Sequence, residues 1–272
     1  MNNFSDQNPF EILDQLNQVG ISLSAENKLE KLLSLILESA VDIIHADGGT
    51  LYTTTDNDTL KFSIIQNKSL GIKLGGDTGN EIKFPEIPLH KDGHENINAI
   101  ASFCALTKKT VNIENAYLAE GFDFSGAKAF DEKNNYRTQS VLAIPLINHE
   151  NKVLGVLQLI NCLDSNNKVV PFNEFSQKVA ESLASQAAIS LNNRFLITQL
   201  ENLFEGITNL INTAIDEKSP YTGGHCLRVP ELTLMIADAV DKEKIGPFAE
   251  FHLKESDRYE LKVAAMLHAV SY

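Results

Sequence analysis

Asn135 to Leu146 reads NYRTQSVLAIPL, and Gly155 to Asn161 reads GVLQLIN. Within and beside them, Ser140 to Ile147 and Val153 to Ile160 are β-rich runs separated by the polar residues Asn148 to Lys152, the pattern of an antiparallel hairpin. Both runs are mostly apolar rather than alternating, so helices are expected over both faces of that part of the sheet.

Upstream, TLYTTT (Thr50 to Thr55) and TLKFSII (Thr59 to Ile65) flank Asp56, Asn57 and Asp58. Leu60, Phe62 and Ile64 alternate with polar neighbours, which predicts a second hairpin with one buried face. From Ser24, residues Leu29, Leu32, Leu33, Ile36, Ala40, Ile43 and Ile44 recur at helical spacing, with Glu26 in the first turn and Gly48 and Gly49 as the stop. Residues 1–22 carry Phe10, Ile12, Leu13 and Leu16 and predict a short helix that docks on the body or pairs with a second copy. A polar, glycine-bearing loop over roughly 66–93 should precede a helix near Ile97 to Leu106 and a short strand from Thr110 to Ile113. After Phe172 a long helix runs to about Asp216. This order gives an antiparallel sheet with helical layers, an α+β architecture.

The chain has 272 residues, enough for one or two domains, and its 43% hydrophobic content supplies a packed core. Its net charge of -13 opposes attraction to phosphate backbones and anionic lipid, so nucleic acid and membrane are not expected partners. Cys104, Cys162 and Cys226 are odd in number and widely spaced, which is neither a disulfide framework nor a CxxC zinc pattern. With no signal-peptide pattern and no window of about 20 apolar residues, a cytoplasmic location is expected.

VNIENAY (Val111 to Tyr117), together with the two opening stretches, resembles the GAF domain, and the resemblance covers residues 23–197. The match is most similar to the cyclic-nucleotide-binding branch, whose signature continues with Asn-Lys, then Phe, three residues and Asp-Glu. Here Asn161 and Phe172 are kept, while Cys162, Ser176 and Gln177 stand at the charged positions. In the family a Lys-Asp pair there ties the closing helix to the sheet. The resemblance implies a pocket with Ile100 and Ala101 against a planar ring, with Asp131, Asn134 and Thr138 on a covering segment and Gln158 rising from the sheet. Such groups suit a purine or cyclic nucleotide. Each also has a plain structural role open to it: Asp131 as a turn cap, Thr138 at a strand start, Gln158 as an exposed residue. A covalent bilin would need Cys104, for which ordinary burial is the expectation.

In the long helix Leu196, Leu200, Leu203, Ile207, Leu210 and Ala214 follow spacings of four, three, four, three and four, a heptad seam. A homodimer through flanking helices is expected, with packing on the same chain as the other reading. The seam would then relay a small-molecule effector's arrival to the next domain.

SPYTGGHCLRV (Ser219 to Val229) and AAMLHAVSY (Ala264 to Tyr272) resemble the opening of the HD-GYP phosphohydrolases. That family has Tyr-Thr-x-x-His-x-x-Arg-Val and then Leu-His-Asp-x-Gly-Lys. Ala269, Ser271 and Tyr272 occupy the Asp, Gly and Lys positions here. The resemblance implies metal ligation by His225 and His268, support from Lys218 and Arg228, and an Fe or Mn pair in an intact domain. Tyr221, where some relatives carry Glu, points to the two-metal type. Two imidazoles are too few for a metal pair that generates hydroxide. The chain is therefore expected to be an incomplete, inactive all-α domain behind a GAF sensor, with cyclic di-GMP hydrolysis left to intact relatives.

The domain expectation is thus 1–22, 23–197, a 198–217 signalling helix and 218–272. Overall, the sequence predicts the sensory part of a bacterial HD-GYP-type phosphodiesterase. The alternative is a non-catalytic GAF protein for dimerisation and ligand binding whose C-terminal segment is an interaction helix. His90 and His94, with Asp92 between them, have metal spacing only on a helix, and Gly93 makes a solvated loop the expectation.

Overall fold

The computed structural model describes residues 9–91, 93–218 and 225–268. Its contacts divide the chain into Met1–Arg194 and Phe195–Tyr272.

The first unit opens with helices α1 (Pro9–Ala25) and α2 (Leu29–Ile43). Leu32, Ile36, Leu37, Ala40 and Val41 form the buried stripe of α2, as their spacing predicts. The helix does not stop at the glycine pair. The chain turns at Ile44 and His45, where His45 takes a left-handed φ of 54°, and Gly48 and Gly49 lie inside strand β1 (Ala46–Thr54). A Cβ on Gly49 would stand 2.6 Å from the Gln158 carbonyl oxygen and one on Gly48 2.5 Å from that of Gln66. These glycines admit close strand approach rather than end a helix.

Strands β2 (Thr59–Asn67), β3 (Ile72–Gly75), β4 (Ile87–Pro88), β5 (His90–Lys91) and β6 (His94–Glu95) follow. The predicted 66–93 loop is thus largely structured, with a 3-10 turn at Gly76–Thr78 held to α2 by a Ser34 hydroxyl bond to Asp77 Oδ1 of 2.5 Å. Strands of two to four residues, paired through backbone, leave too little side-chain alternation to be read from sequence. His90 and His94 fall on the separate strands of the β5–β6 hairpin, and His90 Nδ1 lies 2.6 Å from Asp58 Oδ2. Asp92 is outside the described residues.

Helix α3 (Ile100–Thr107), strand β7 (Val111–Ile113), helix α4 (Ser125–Asn134), strands β8 (Val141–Ile147), β9 (Val153–Leu163) and β10 (Val169–Val170), and helix α5 (Glu174–Lys218) complete the order. The sheet runs β3-β2-β1-β9-β8-β7 with β4 on β2 and β10 on β9, and every pairing is antiparallel. Both predicted hairpins are present, β1–β2 and β8–β9.

Side chains alternate across β1 and β9. Leu51, Leu157 and Leu159 face α2, against which α1 packs, while Tyr52, Val156, Val141 and Ala143 meet α3. Helices therefore cover both faces.

In the second unit, the rest of α5 is joined by α6 (His225–Lys242), which contains Pro230, and α7 (Glu255–His268). Arg258 bridges α7 to Asp238 of α6 through both carboxylate oxygens, and Lys262 pairs with Glu205 of α5 at 2.8 Å. Among the described residues no helix is long and apolar enough to cross a membrane.

Candidate ligand cleft

On the α3 face, Thr50 of β1 stands opposite Gln158 of β9 and Ile65 of β2, with Ile160 two residues along β9. These strands are flanked on both sides, yet all four side chains are partly exposed while Gly49, Leu51, Leu157 and Leu159 on the opposite face are buried. The helices leave these four side chains only partly covered, with Ile160 packed against the α3-side core. Gln158 offers one amide donor pair and one acceptor there, Thr50 a hydroxyl that also bonds the Tyr52 phenol, and Ile65 and Ile160 apolar area.

Ile100 and Ala101 sit in the first turn of α3, both buried in the cluster with Val141, Ala143 and Val156. Tyr52 lies in the same cluster, and burial raises its phenol pKa. Ser102, fully buried in α3, keeps a hydroxyl without a partner.

Asp131 is 1% exposed, and its carboxylate accepts three bonds. The Tyr117 hydroxyl donates at 2.8 Å, the Thr138 amide at 2.7 Å and the Thr138 hydroxyl at 2.9 Å. The bond to Asp131 raises the Tyr117 pKa, and Arg137 stacks 4.4 Å from the Tyr117 ring centre. Asn134 turns its amide back to the Phe130 carbonyl at 2.8 Å. The structure thus joins Asp131 and Thr138 in a clasp that fixes α4 to the strand entry, while Gln158 stands on the partly covered sheet strip. Helix α4 was not evident in the sequence because its residues are largely polar and show no apolar period. A usable signal is Asp123, whose carboxylate takes the Ser125 amide at 2.8 Å in the helix's first turn.

The return from α4 is pinned by Tyr136 and Asp47, to which sequence reasoning gave no role, and by Asn161, read there only as a signature position. Asn135 ends α4 in a left-handed conformation. Tyr136 then donates to Asp47 Oδ2 at 2.6 Å, and Asp47 Oδ1 accepts the Ser69 hydroxyl at 2.6 Å. Asn161, itself at φ 55°, donates to the Tyr136 hydroxyl and the Arg137 carbonyl, both at 2.8 Å, and accepts the Gln139 amide at 2.7 Å. Burial first, and the Asp47 bond second, raise the Tyr136 pKa. Beside this network Asn67 is 4% exposed, and its side chain lies near enough to the Tyr136 phenol to oppose, more weakly, the rise in its pKa. The signal was the length of the polar run from Tyr136 to Ser140, larger side chains than a turn into a strand needs.

The GAF domain family model matches residues 28–191, more than half of the sequence. The chain belongs to the GAF domain family. The GAF domain of a phosphoenolpyruvate-protein phosphotransferase from Coxiella burnetii has the same fold, with a TM-score of 0.53 at 15% identity over 71% of this chain and 99% of that one. The dual 3',5'-cyclic-AMP and -GMP phosphodiesterase 11A of Takifugu rubripes is 32% identical over 104 residues, 38% of this chain and 11% of that protein. The cGMP-specific 3',5'-cyclic phosphodiesterase of Drosophila melanogaster is 26% identical over 195 residues, 70% of this chain and 16% of that protein. The chain therefore spans less than a fifth of either curated relative.

In this GAF domain hydrogen bonds without a cation stand where the signature's Lys-Asp pair would tie the closing helix. Asn112 of β7 donates to the Phe172 carbonyl and to Gln177 Oε1, both at 3.0 Å, and Thr110 donates to Glu181 at 2.7 Å. Ser140 donates to the Val170 carbonyl at 2.9 Å, and Ser176 is folded onto Asn173 at 2.8 Å as a helix cap. Cys162 is buried, and so is Cys104, whose thiol burial pushes up to about 12.

Outside the GAF domain, His268 ends α7 and His225 begins α6, the latter's side chain lying outside the described residues together with Tyr221, Ala269, Ser271 and Tyr272. No group of three or more metal-ligating side chains exists among the described residues, so a hydrolytic metal pair has no fitting donor set among them.

Proposed function

We propose that the GAF unit is the sensory module of a cyclic-nucleotide signalling protein and that its partly covered sheet strip receives a purine nucleotide. The observation that carries this reading is the partial exposure of Thr50, Ile65, Gln158 and Ile160 at the centre of the sheet, all on one face. Isoleucine side chains suit the faces of a heteroaromatic ring, and an amide and a hydroxyl suit its edge. The two curated relatives are named as cyclic nucleotide phosphodiesterases, which supports the ligand class.

Strand β8, paired with cleft strand β9, and β7 beside it are tied to the chain entering α5 by Ser140, just before β8, and by Asn112 of β7. A ligand that prefers one setting of these strands would shift the start of α5, which is what a relay needs. At the finer level, the Tyr221 to Val229 and Leu267 to His268 matches support an HD-GYP-type phosphodiesterase as the domain regulated, with cyclic di-GMP hydrolysis in intact relatives. Ala269, standing at the Asp position of that match, favours the second reading for this polypeptide, a ligand-binding regulator without catalysis of its own.

Thermal unfolding in the presence of cyclic AMP, cyclic GMP and cyclic di-GMP tests the sensory reading. A ligand present at a hundred times its Kd should stabilise the GAF unit by about 2.7 kcal/mol. Superimposable melts with all three compounds would remove the nucleotide assignment.

A further inference from the structure

The row of residues that forms the cleft continues to the edge of the sheet. Ile65 stands opposite Thr50, Thr50 opposite Gln158, Gln158 opposite Ala143, and Ala143 opposite Val111 on β7. Thr110 and Asn112 flank Val111, and alternation along the strand turns their side chains to the other face of the sheet, where both bond to α5. A displacement that a ligand imposes on this row therefore reaches a residue whose two neighbours hold the long helix.

Those two side chains are the ends of a comb of hydrogen bonds. Asn112 donates from its amide nitrogen to the Phe172 carbonyl and to Gln177 Oε1, each at 3.0 Å, which uses both hydrogens. The Gln177 amide nitrogen donates to Glu181 Oε1 at 3.0 Å, and the Thr110 hydroxyl donates to the same oxygen at 2.7 Å. Gln177 and Glu181 are four residues apart and share one stripe of α5, so successive turns are clamped to one short stretch of strand. The donors and acceptors define one arrangement. Gln177 turned end for end would set N–H against N–H at Asn112 and oxygen against oxygen at Glu181, losing two bonds. Such bonds are lost beyond about 3.5 Å, so a shift of the strand by more than about 0.5 Å either carries the start of α5 with it or breaks the comb. Glu174 and Lys178, on the same turns, instead pair with each other at 3.8 Å and are largely exposed.

Helix α5 is continuous from Glu174 to Lys218, so a change in its first turns passes along one hydrogen-bonded rod. We infer that Asn112, Gln177, Glu181 and Thr110 form the joint through which occupancy of the cleft sets α5, an inference that rests on the reading of the sheet strip as a nucleotide site. Glu181 serves in this joint as an acceptor and not as a charge, because the two groups that bond it are neutral donors.

The test is amide hydrogen exchange of the 272-residue chain with and without whichever of cyclic AMP, cyclic GMP and cyclic di-GMP binds it in calorimetry. In the unsubstituted chain the nucleotide should change exchange over residues 195–218 by about twofold or more. Glu181→Ala and Gln177→Ala should each keep the nucleotide affinity within about twofold and lose that change. Glu181→Gln, which keeps an acceptor for Thr110 and Gln177, should retain it, as should Glu174→Ala on the exposed side. A merely structural tie would quicken exchange in the first turns of α5 with and without nucleotide and leave the nucleotide-dependent change in place. The joint is overturned by binding without any change over 195–218, by a change that survives both alanine variants, by its loss in Glu181→Gln or Glu174→Ala, or by alanine variants that bind more weakly than that twofold limit. Binding of none of the three nucleotides removes the reading of the cleft itself, and the joint with it.

Discussion

The Tyr136 hydroxyl donates to the Asp47 carboxylate across 2.6 Å while accepting from Asn161 Nδ2 at 2.8 Å. This one phenol joins the segment leaving α4 to the first strand of the sheet and to the ninth. Tyr136→Phe leaves Asp47, 3% exposed, with one fewer donor. The loss should lower stability by about 1–3 kcal/mol, since a buried acceptor deprived of its partner costs its desolvation. Denaturant midpoints of the two proteins, with equal m-values, measure it.

Asp131→Ala should release α4 more than it unfolds the domain. The substitution strips three donors, from Tyr117 and Thr138, of a buried acceptor, and the cost of about 1–3 kcal/mol falls on the clasp itself. Amide hydrogen exchange should quicken across residues 125–134 and stay slow in β8 and β9. Unchanged protection of α4 would mean that packing, not this carboxylate, holds it.

Alkaline pH should unfold the GAF unit through its tyrosines. The phenols of Tyr52, Tyr117 and Tyr136 are all raised above the ordinary value of 10.0, by burial for Tyr52 and Tyr136 and by the bond to Asp131 for Tyr117. A raised folded-state pKa means that the folded form holds its proton more tightly. The associated stability is fully present below pH 10 and is lost as pH climbs through the higher folded values. Phenolate absorbance and circular dichroism followed together should show these groups ionising as the fold is lost; complete ionisation with the fold intact contradicts the assignment.

Gly76→Ala should destabilise the β3–α2 junction. Gly76 has φ 55°, and an added Cβ would lie 2.3 Å from the Ser34 hydroxyl oxygen, which bonds Asp77. Left-handed backbone alone costs a β-carbon about 1 kcal/mol or more, and displacement of Ser34 adds to it. A melting temperature equal to that of the unsubstituted protein would show that the turn shifts freely.

The two hairpins, α2 and α5 were legible in the sequence because each carries a long apolar run or period, such as Leu60, Phe62 and Ile64 or Leu32 and Ile36. The β3 to β6 strands and α4 were not, since they are short or polar and held by partners distant in sequence, as Ser34 holds Asp77. For the same reason the reading named Asp131 and Thr138 together without the direct bonds between them. It left out Asp47, whose partner Tyr136 is 89 positions away. Periodicity reports burial along one element, whereas polar networks depend on which elements meet.

The central claim, that the strip over Gln158 receives a purine nucleotide, is tested most directly by isothermal titration of the chain and of Gln158→Leu with cyclic AMP, cyclic GMP and cyclic di-GMP. Gln158 is partly exposed and pairs through backbone with Thr50 and Ala143, so the substitution should leave the melting temperature unchanged. The unsubstituted chain should bind at least one of the three saturably, and Gln158→Leu should bind it at least tenfold more weakly, about 1.4 kcal/mol. Flat heats for all three nucleotides, or equal affinity in the two proteins, would contradict the account.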